Sequence, residues 1–354
     1  MSQLEALQIS NLESFKEIRA SWEHLYKTDS NSQVYISWLW LYSLFTTSSF
    51  KWTVVAIKKN DANSSYVAFL PMTLNHHRIY PICEITHIGK PIAAYSGFLC
   101  LPDFESEAIP FLAKYIQSNL KWDIFRFDWI RDSRLDIFLS AFSDPDFKVD
   151  IGQGLTSLRI TLPDNYQTYL NNHIGKETRR KIRRRTKYIN EHKSYKVKYS
   201  TEDTVNRDID VICQLWFNRW KKDRDFAWYK KVLQDFAERD LVQLCIIWDQ
   251  NIAISALACL IDPLKKTYYA FLTAYNPDYS KISPGIVVSA YLIEQAIEKK
   301  YKYYDLTVGL DPYKLSFGPM QHETKNVLIK RKSLKMAVTS IVKKQVKVFL
   351  KRFR

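Results

Sequence analysis

The segment from Leu241 to Gly318 constrains the fold of this chain more than any other part of the sequence. Three apolar runs of strand length come first, then a loop that closes on Ser283-Pro284-Gly285, and then an apolar pattern of helical period that ends near Lys299. Because proline is favoured in the first turn of a helix, we expect this helix to begin at Pro284. The three predicted strands are Val242–Trp248, Ile252–Ile261 and Lys266–Thr273.

The loop before this predicted helix is a candidate anion site. The first N–H groups of a helix have no partner within the helix, and the helix dipole favours negative charge at that end. A strand at Tyr303–Thr307 and a last strand near Thr324–Lys330 follow, and we expect both to complete the same unit. The segment therefore predicts an α/β unit with a phosphate-binding turn.

The length and the repeated order of elements predict two domains. At 354 residues the chain is longer than one average domain, and 46% of its residues are apolar, which is enough for two cores. Both halves follow the order strand, two helices, several strands, helix, strand. We therefore predict two similar α/β domains in tandem, residues 1–154 and 155–331, each with a central mixed sheet flanked by helices. Residues 332–354 are predicted to form a separate basic helix.

Two short segments carry the positive charge of the chain. The net charge is +15, yet Lys176–Lys187 holds eight Lys or Arg against one Glu, and Lys330–Arg354 holds ten against none. The rest of the chain is therefore nearly neutral. The first basic segment lies within one long predicted helix, from about Asn165 to Glu191. Its basic face suits the phosphates of a coenzyme, a lipid or RNA, and the alternative is a solvated surface.

The second basic segment has the pattern of an amphipathic helix. Apolar residues between Leu334 and Phe353 fall on one helical stripe, and lysines and arginines occupy most of the remaining positions. This combination favours an anionic membrane surface, which we expect residues 334–353 to contact. A helix that packs on another protein, or that folds back as a cap, is the alternative.

The cysteines and the N-terminus indicate a cytoplasmic protein. The five cysteines are scattered, odd in number and form no C-x-x-C pair, so we expect buried thiols and no metal site. The first residues, Met1 to Ile18, include acids and lack an apolar run, which argues against a secretory signal. We expect the protein in the cytoplasm, at the inner face of the membrane if the tail binds lipid.

Several motifs together resemble a known superfamily. The chain looks like the CelD-like branch of the GNAT acyltransferases, which is related to the Fem-type aminoacyl transferases and carries two GNAT-like domains in tandem. The resemblance covers about Ser32 to Gly318. The motifs that carry it are Ser37-Trp38-Leu39-Trp40, Ala68–Met72, Lys176–Arg179, Leu215–Trp220, Ser283-Pro284-Gly285, Tyr304–Gly309, Tyr313-Lys314 and Phe317-Gly318.

The resemblance implies that the second domain binds acyl-CoA as co-substrate, without a metal. The implied cofactor-binding residues are Ser283, Gly285 and Ile286, with Thr273 at the end of the preceding strand. The superfamily's pyrophosphate loop has the form Q/R-x-x-G-x-G/A. The corresponding residues here, Ser280 to Gly285, keep only the final glycine.

Three residues after the loop are the candidate catalytic groups. Asp305 ends a strand where its carboxylate would be partly desolvated, so it is a candidate base, with a capping or salt-bridging role as the alternative. In the cleft that the resemblance implies, Tyr313 is placed to protonate the leaving thiolate, and Lys314 to neutralise a phosphate or carboxylate. A surface-loop position is the alternative for both.

Acceptor binding is assigned to two other regions. In the first domain, Tyr95 and Ser96 lie in a glycine-bearing loop, where this branch often has Asp-Tyr and this chain has Ala94-Tyr95. In the second domain, the basic helix contributes the remaining candidates. These are Lys176, Arg179, Arg180 and Arg183.

The resulting functional hypothesis is acyl transfer from acyl-CoA to an amine or hydroxyl. The expected acceptor is a sugar, free or lipid-linked, or another precursor of the envelope or of a surface polysaccharide. One alternative is a Fem-type aminoacyl transferase that draws on charged tRNA. Another is a non-catalytic RNA- or membrane-binding protein that has kept the fold.

Overall fold

The computed structural model describes residues 4–47, 49–60, 65–76, 81–89, 92–220 and 226–339. The chain divides into two compact units. The first unit comprises Met1–Leu41, Ser49–Gly154 and Thr324–Arg354, and the second comprises Tyr42–Ser48 and Leu155–Glu323. Each unit contains one sheet with both parallel and antiparallel neighbours, and helices flank it. The predicted mixed α/β fold class is therefore confirmed.

From the amino terminus to residue 154 the described chain forms the elements of a first α/β layer. Its helices are α1 (Leu12–Glu17), α2 (Arg19–Thr28), α3 (Trp38–Thr47), α4 (Glu105–Asn119) and α5 (Leu135–Ser140). Its strands are β1 (Leu4–Ile9), β2 (Lys51–Lys59), β3 (Tyr66–His76), β4 (Cys83–His87), β5 (Leu99–Cys100), β6 (Ile124–Ile130) and β7 (Phe147–Gln153).

From residue 155 onward the described chain forms a second set of elements. Its helices are α6 (Tyr166–Asn172), α7 (Lys176–Glu191), α8 (Val205–Trp220), α9 (Phe226–Ala237), α10 (Pro284–Glu298) and α11 (Pro312–Leu315). Its strands are β8 (Ser157–Thr161), β9 (Tyr195–Tyr199), β10 (Val242–Asp249), β11 (Ile252–Asp262), β12 (Thr267–Tyr275), β13 (Tyr303–Val308), β14 (Met320–His322) and β15 (Lys325–Arg331).

The last strand belongs to the first sheet, which corrects the predicted domain organisation. The first sheet has the order β1-β2-β3-β4-β6-β15-β7, with β5 on β3, and β15 pairs antiparallel with both β6 and β7. Val327 and Ile329 alternate along β15 and are buried in the core of the first unit, which is why this strand is held there. The prediction that residues 324–331 complete the second unit is therefore wrong, and the second unit ends at Glu323.

The second sheet has the order β14-β8-β13-β12-β11-β10-β9. The strands β10, β11 and β12 lie within two residues of the three strands that the sequence predicts. The helix α10 begins at Pro284, as predicted, and buries Val287, Val288 and Leu292 in the core of this unit. These apolar residues follow helical spacing, so the local pattern and the tertiary packing agree.

The basic helix is divided in two. A single helix is predicted from about Asn165 to Glu191, but the structure breaks it between α6 and α7 at His173–Gly175. Asn165 caps α6 through its side-chain oxygen, which accepts a hydrogen bond from the N–H of Thr168 at 2.8 Å. Gly175 is the N-cap residue of α7. Glycine is a poor residue for a helix interior, which accounts for the break at this position.

The predicted tail helix is only partly described. Residues 334–339 are helical, with Leu334 and Val338 exposed, and Lys335 Nζ lies 2.6 Å from an Asp123 carboxylate oxygen. Residues 340–354 lie outside the described residues, so most of the predicted helix at 332–354 does too. Within the described part of the chain, no helix is both long enough and apolar enough to span a membrane.

Gly318 should tolerate no side chain. Its φ is +67°, and a Cβ at this position would lie 1.9 Å from the carbonyl oxygen of His173. We expect Gly318→Ala to lower the free energy of unfolding by about 2–3 kcal/mol, because left-handed strain adds to the clash. Urea denaturation measures the loss. Gly152→Ala is the control, because its Cβ would meet nothing within 4 Å. An equal effect of the two substitutions would contradict this account.

Candidate active site

Two parallel strands in the second sheet separate after a short pairing. β12 pairs with β13 only from Thr267 to Tyr269, opposite Tyr303 to Asp305. Beyond that point β12 continues to Tyr275 paired with β11, whereas β13 pairs with β8. Within the described residues, the edge of β12 beyond Tyr269 that faces β13 therefore has no strand partner. The separation leaves room for a ligand beside the backbone of β12.

A cavity of about 670 Å³ lies beside this unpaired edge of β12. Its walls come from α8, α9, β12, the turn into α10, and the segment around α11. The residues that line it are Trp216, Arg219, Trp220, Tyr229, Phe271, Leu272, Thr273, Tyr275, Ser280, Ser283, Pro284, Gly285, Ile286, Asp311, Pro312, Tyr313 and Lys314.

The structure brings six of the candidate residues together in this cavity. All four residues proposed for the cofactor line it, together with two of the three proposed catalytic residues. Local order explains the grouping, because the end of β12 and the start of α10 are joined by a single turn at Pro277–Ile282. The six are Thr273, Ser283, Gly285, Ile286, Tyr313 and Lys314.

The start of α10 offers fewer donors than the sequence suggests. Ser283 has a left-handed backbone, with φ 53° and ψ 51°, and its carbonyl accepts the N–H of Ile286 at 3.1 Å. Pro284 has no N–H. Among the described residues, no acceptor is paired with the N–H of Gly285. Of the two N–H donors expected here, that of Gly285 is available to a ligand and that of Ile286 is hydrogen-bonded within the turn.

Lys314 is a buried cation at the cavity wall. Its side chain is 11% exposed, and Nζ donates to the carbonyl of Val308 at 2.8 Å and lies 3.4 Å from an Asp311 carboxylate oxygen. Burial lowers the pKa of Lys314, and the nearby charge of Asp311 partly offsets this effect. The ammonium group is therefore desolvated and fixed in place.

Tyr313 is neutral over the ordinary pH range. Burial among the cavity residues raises its pKa to about 12, and the charge of Asp311 acts in the same direction. The positive charge of Arg219 lowers it in part. Tyr313 keeps 36% of its surface exposed, so its side chain remains accessible within the cavity wall.

Asp305 lies in the sheet and is not among the residues that line the cavity. Its side chain is buried, and Oδ1 accepts the N–H of Thr307 at 2.7 Å. Thr307 has a φ of 63°, and the β13–β8 pairing is irregular between Asp305 and Val308. The carboxylate thus stabilises a left-handed kink, which is the capping role left open as the alternative to a base.

The candidates from the first domain are core residues of the first unit. Tyr95 and Ser96 are 4% and 5% exposed. The hydroxyl of Ser96 donates to the carbonyl of Asp128 at 2.7 Å, and the ring of Tyr95 packs edge-on to Tyr35. Neither residue lines the cavity. Their described contacts are those of a packed loop.

The candidates on α7 also lie outside the cavity. Arg179 donates to the carbonyl of Asn171 at 2.9 Å, and Arg183 donates to the side chains of Gln167 and Asn171. These two arginines therefore connect α7 to α6. Lys176 and Arg180 are exposed. The helix presents a basic surface that is separate from the cavity lining.

An arginine and a set of aromatic side chains complete the site, and sequence reasoning missed them. The guanidinium carbon of Arg219 lies 3.9 Å from the ring centre of Tyr275 and 4.6 Å from that of Trp220. Trp216 also packs near Tyr229, at 5.9 Å between ring centres. Residues 216, 219 and 220 follow i, i+3, i+4 spacing, so this helical face was detectable. Its aromatic content, however, is equally typical of a buried core.

The comparisons with known proteins agree with the fold, and a family model matches the part of the sequence that contains the cavity. Residues 176–315 match the family model described as an acetyltransferase (GNAT) domain. No curated protein matches the chain. The matched range includes every residue that lines the cavity.

Solved structures with a similar fold cover nearly the whole chain. A structure described as FemX has a TM-score of 0.63 at 13% identity, over 96% of this chain and 99% of its own. A tandem GNAT protein from the clavulanic acid biosynthesis pathway has a TM-score of 0.54 at 8% identity, over 93% and 98%. The structure of L-PGS from Bacillus licheniformis has a TM-score of 0.54 at 9% identity, over 94% of this chain and 96% of its own. At these identities the likeness to the solved structures concerns the fold, and the match to the acetyltransferase (GNAT) domain covers residues 176–315.

Proposed function

We propose that the second unit transfers an acyl group from acyl-CoA to an amine or hydroxyl of an acceptor. The observation that carries this proposal is the cavity at the point where β12 and β13 separate. It combines an unpaired strand edge, a free N–H at the start of a helix and a buried lysine within one space. Each of these groups suits a different part of a thioester substrate.

The fit to acyl-CoA follows from the chemistry of the walls. The pantetheine arm of CoA contains two amides, which can pair with the open backbone edge of β12 as an added strand does. The N–H of Gly285 and the dipole of α10 favour a phosphate at the start of the helix. A cavity of about 670 Å³ falls within the range of small-molecule sites.

Lys314 and Tyr313 then act on the charge that develops during transfer. The acceptor nitrogen or oxygen attacks the thioester carbonyl, a C–N or C–O bond forms and the C–S bond breaks. The fixed ammonium of Lys314 stabilises the negative charge on the carbonyl oxygen. Tyr313, with a pKa of about 12, is a weaker acid than a thiol of about 8.5, so it donates a hydrogen bond and keeps its proton. The thiolate takes its proton from solvent.

Asp311 is the candidate base. It is the one carboxylate among the described residues that line the cavity, and 58% of its side chain is exposed. Its carboxylate oxygen lies 3.4 Å from Lys314 Nζ, and a carboxylate in this position can accept a proton from the acceptor. Asp305, which we expected in this role, holds the backbone of Thr307 instead.

The proposed acceptor is a sugar or a precursor of the envelope or of a surface polysaccharide. The aromatic side chains of Trp216, Trp220 and Tyr229 offer flat surfaces on one wall of the cavity, which suits a ring-shaped acceptor. A lipid-linked acceptor would fit a location at the inner face of the membrane, with residues 334–353 as the membrane contact. Deleting residues 332–354 should then abolish binding to anionic liposomes.

A second candidate is aminoacyl transfer from charged tRNA. The exposed basic surface of α7, with Lys176 and Arg180, and the fold likeness to FemX favour it. RNA binding through such a surface would weaken steeply with salt. A non-catalytic protein that binds RNA or membrane is the remaining alternative.

Thiol release separates these functions. The full chain is incubated with acetyl-CoA and longer acyl-CoAs, with and without a panel of amino sugars and alcohols, and free CoA is measured. We expect release that depends on an acceptor. Release of no CoA with any acceptor, together with transfer of an amino acid from charged tRNA, would overturn the first proposal in favour of the second.

Gly285→Ala should weaken CoA binding without destabilising the fold. The new Cβ would lie 3.7 Å from Tyr275, an ordinary contact, and alanine suits a helix better than glycine. We expect the free energy of unfolding to rise by about 0.5–1 kcal/mol and the affinity for CoA to fall about tenfold, since the methyl group approaches the phosphate position. Calorimetry and urea denaturation measure the two effects. Unchanged CoA affinity would contradict the phosphate assignment, and Gly152→Ala is the control.

A further inference from the structure

Arg219 occupies an unusual position at the end of α8. Its guanidinium carbon lies 3.9 Å from the ring centre of Tyr275 and 4.6 Å from that of Trp220. Contacts of this kind use the face of the guanidinium group and leave its edge available. Five N–H donors lie in the plane of that edge, in a fork that matches the oxygens of a phosphate or carboxylate.

The edge of Arg219 has no acceptor within the described residues. Three other arginines of the described chain, in contrast, are paired with acids: Arg134 with three, Arg126 with Glu84, and Arg207 with Asp208. Among the described residues, Arg219 contacts the rings of Trp220 and Tyr275 and pairs with no acid, although it lines a cavity. A cation stacked on aromatic rings and open toward a cavity is arranged to receive an anion from outside the protein.

Among the described residues that line the cavity, Arg219 is the cation without an acid beside it. The other cation in the lining, Lys314, lies 3.4 Å from Asp311 and so has an acid beside it. Arg219 is close enough to Tyr313 for its charge to lower the pKa of that residue in part. The cavity therefore carries one positive charge that a ligand can neutralise.

The position of Tyr275 relates Arg219 to the start of α10. A Cβ on Gly285 would lie 3.7 Å from the ring of Tyr275, and the guanidinium group of Arg219 lies over that same ring. One aromatic side chain thus separates the arginine from the helix start. The turn contributes Ser280 to the cavity lining, and Arg219 reaches the same cavity from α8.

The aromatic surroundings strengthen such a contact. Tyr229 packs between Trp216 and Phe271, with ring centres 5.9 and 5.5 Å apart, and these rings line the cavity beside Arg219. Apolar walls exclude water, and a charge-assisted hydrogen bond is stronger where water is excluded.

We propose that Arg219 is the phosphate-recognition residue of this cavity and binds a phosphoryl group of the ligand through its N–H edge. The inference rests on the proposed function for its choice of ligand. The phosphate comes from one of two sources, the pyrophosphate of CoA or a phosphorylated acceptor, and the chemistry of recognition is shared.

The test compares phosphate-bearing and phosphate-free ligands on matched variants. Arg219→Gln removes the charge, Arg219→Lys keeps the charge without the fork, and Arg239→Gln removes an exposed arginine of the same unit that lies outside the cavity lining. Calorimetry with CoA, pantetheine and inorganic pyrophosphate gives the affinities. Melting temperatures establish that each variant is folded.

We expect Arg219→Gln to weaken CoA or pyrophosphate binding about 10- to 100-fold and pantetheine binding less than twofold, with Arg219→Lys in between and Arg239→Gln unchanged. If the loss appears with pyrophosphate but wild-type protein does not bind CoA, the phosphate comes from the acceptor, and the proposed donor fails while the inference holds. If CoA binds and Arg219→Gln binds it equally well, the inference is overturned and the donor stands. Failure of wild-type protein to bind either phosphate ligand overturns the inference as well.

Discussion

Lys314→Met should lower kcat of acyl transfer about 100- to 1,000-fold, the largest functional loss that we expect from a single substitution. Lys314 is the buried cation whose Nζ is fixed by the carbonyl of Val308 and by Asp311, so its charge is placed before the reaction begins. Loss of one preorganised group at a developing oxyanion has an effect of this size. Steady-state thiol release with a saturating acceptor measures it.

The same substitution should change stability little, because methionine retains the apolar part of the side chain. Lys196→Met on the exposed strand β9 is the control, and we expect it to leave kcat unchanged. If Lys314→Met retains full turnover, or if it loses activity only because it unfolds, the assignment of Lys314 to the reaction is wrong.

The pH dependence of activity and of stability is a second test of the role of the Lys314 charge. Burial lowers its pKa below 10.5, so the protonated form that catalysis requires is lost as pH rises through that lowered value. The unfolded chain holds this proton more tightly than the folded chain. Burial of the charge therefore destabilises the fold at neutral pH, and this cost disappears as pH rises between the two pKa values. As pH rises between the two pKa values, activity should fall while the free energy of unfolding increases. Lys314→Met should show neither change.

Arg134→Met should lower the free energy of unfolding by about 3–5 kcal/mol, the largest loss of stability that we expect. Arg134 is almost fully buried in the first unit, and it pairs with Asp29 at 3.0 Å, Asp132 at 2.7 Å and Glu105 at 3.1 Å. Burial alone would lower its pKa, but hydrogen bonds and charges from Asp132 and Asp29 raise it overall. Without the guanidinium group, two buried carboxylates face each other with no counter-charge.

Urea denaturation of Arg134→Met and of two comparison variants tests this prediction. Arg126→Met is the control, because the pair of Arg126 with Glu84 is partly exposed and should contribute less than about 1 kcal/mol. Arg134→Lys keeps the charge but loses the fork, so we expect an intermediate loss. A loss from Arg134→Met as small as that from Arg126→Met would show that the cluster contributes little to the fold.

Local patterns predicted the strands and the helix around the site, because their signals lie within a few residues. β10, β11 and β12 are continuous apolar runs that end at turns, and α10 begins at Pro284, where the sequence places it. The assignment of β15 failed for the opposite reason. Alternation at Val327 and Ile329 identifies a strand, but it does not specify that its neighbours are β6 and β7, far away along the chain.

The sequence could indicate candidate residues near the turn before α10, because their signals are local. It could not indicate the direction in which a side chain points. Gly285 and Tyr313 were predicted because they follow a strand and a glycine-bearing loop, and both line the cavity. Asp305 was placed in the catalytic group because a carboxylate at a strand end can face a cleft, yet it turns to the N–H of Thr307. Arg219 was missed because aromatic residues at helical spacing on α8 resemble an ordinary core face.

Calorimetric titration of the full chain with acetyl-CoA tests the central claim most directly, namely that the cavity between β12 and the start of α10 is an acyl-CoA site. We predict binding of one acetyl-CoA per chain, and loss of that binding in Thr273→Trp, whose larger side chain would fill the cavity from β12. The absence of binding to the wild-type protein would contradict the account. Equal affinity in a folded Thr273→Trp variant would place the donor elsewhere and contradict it as well.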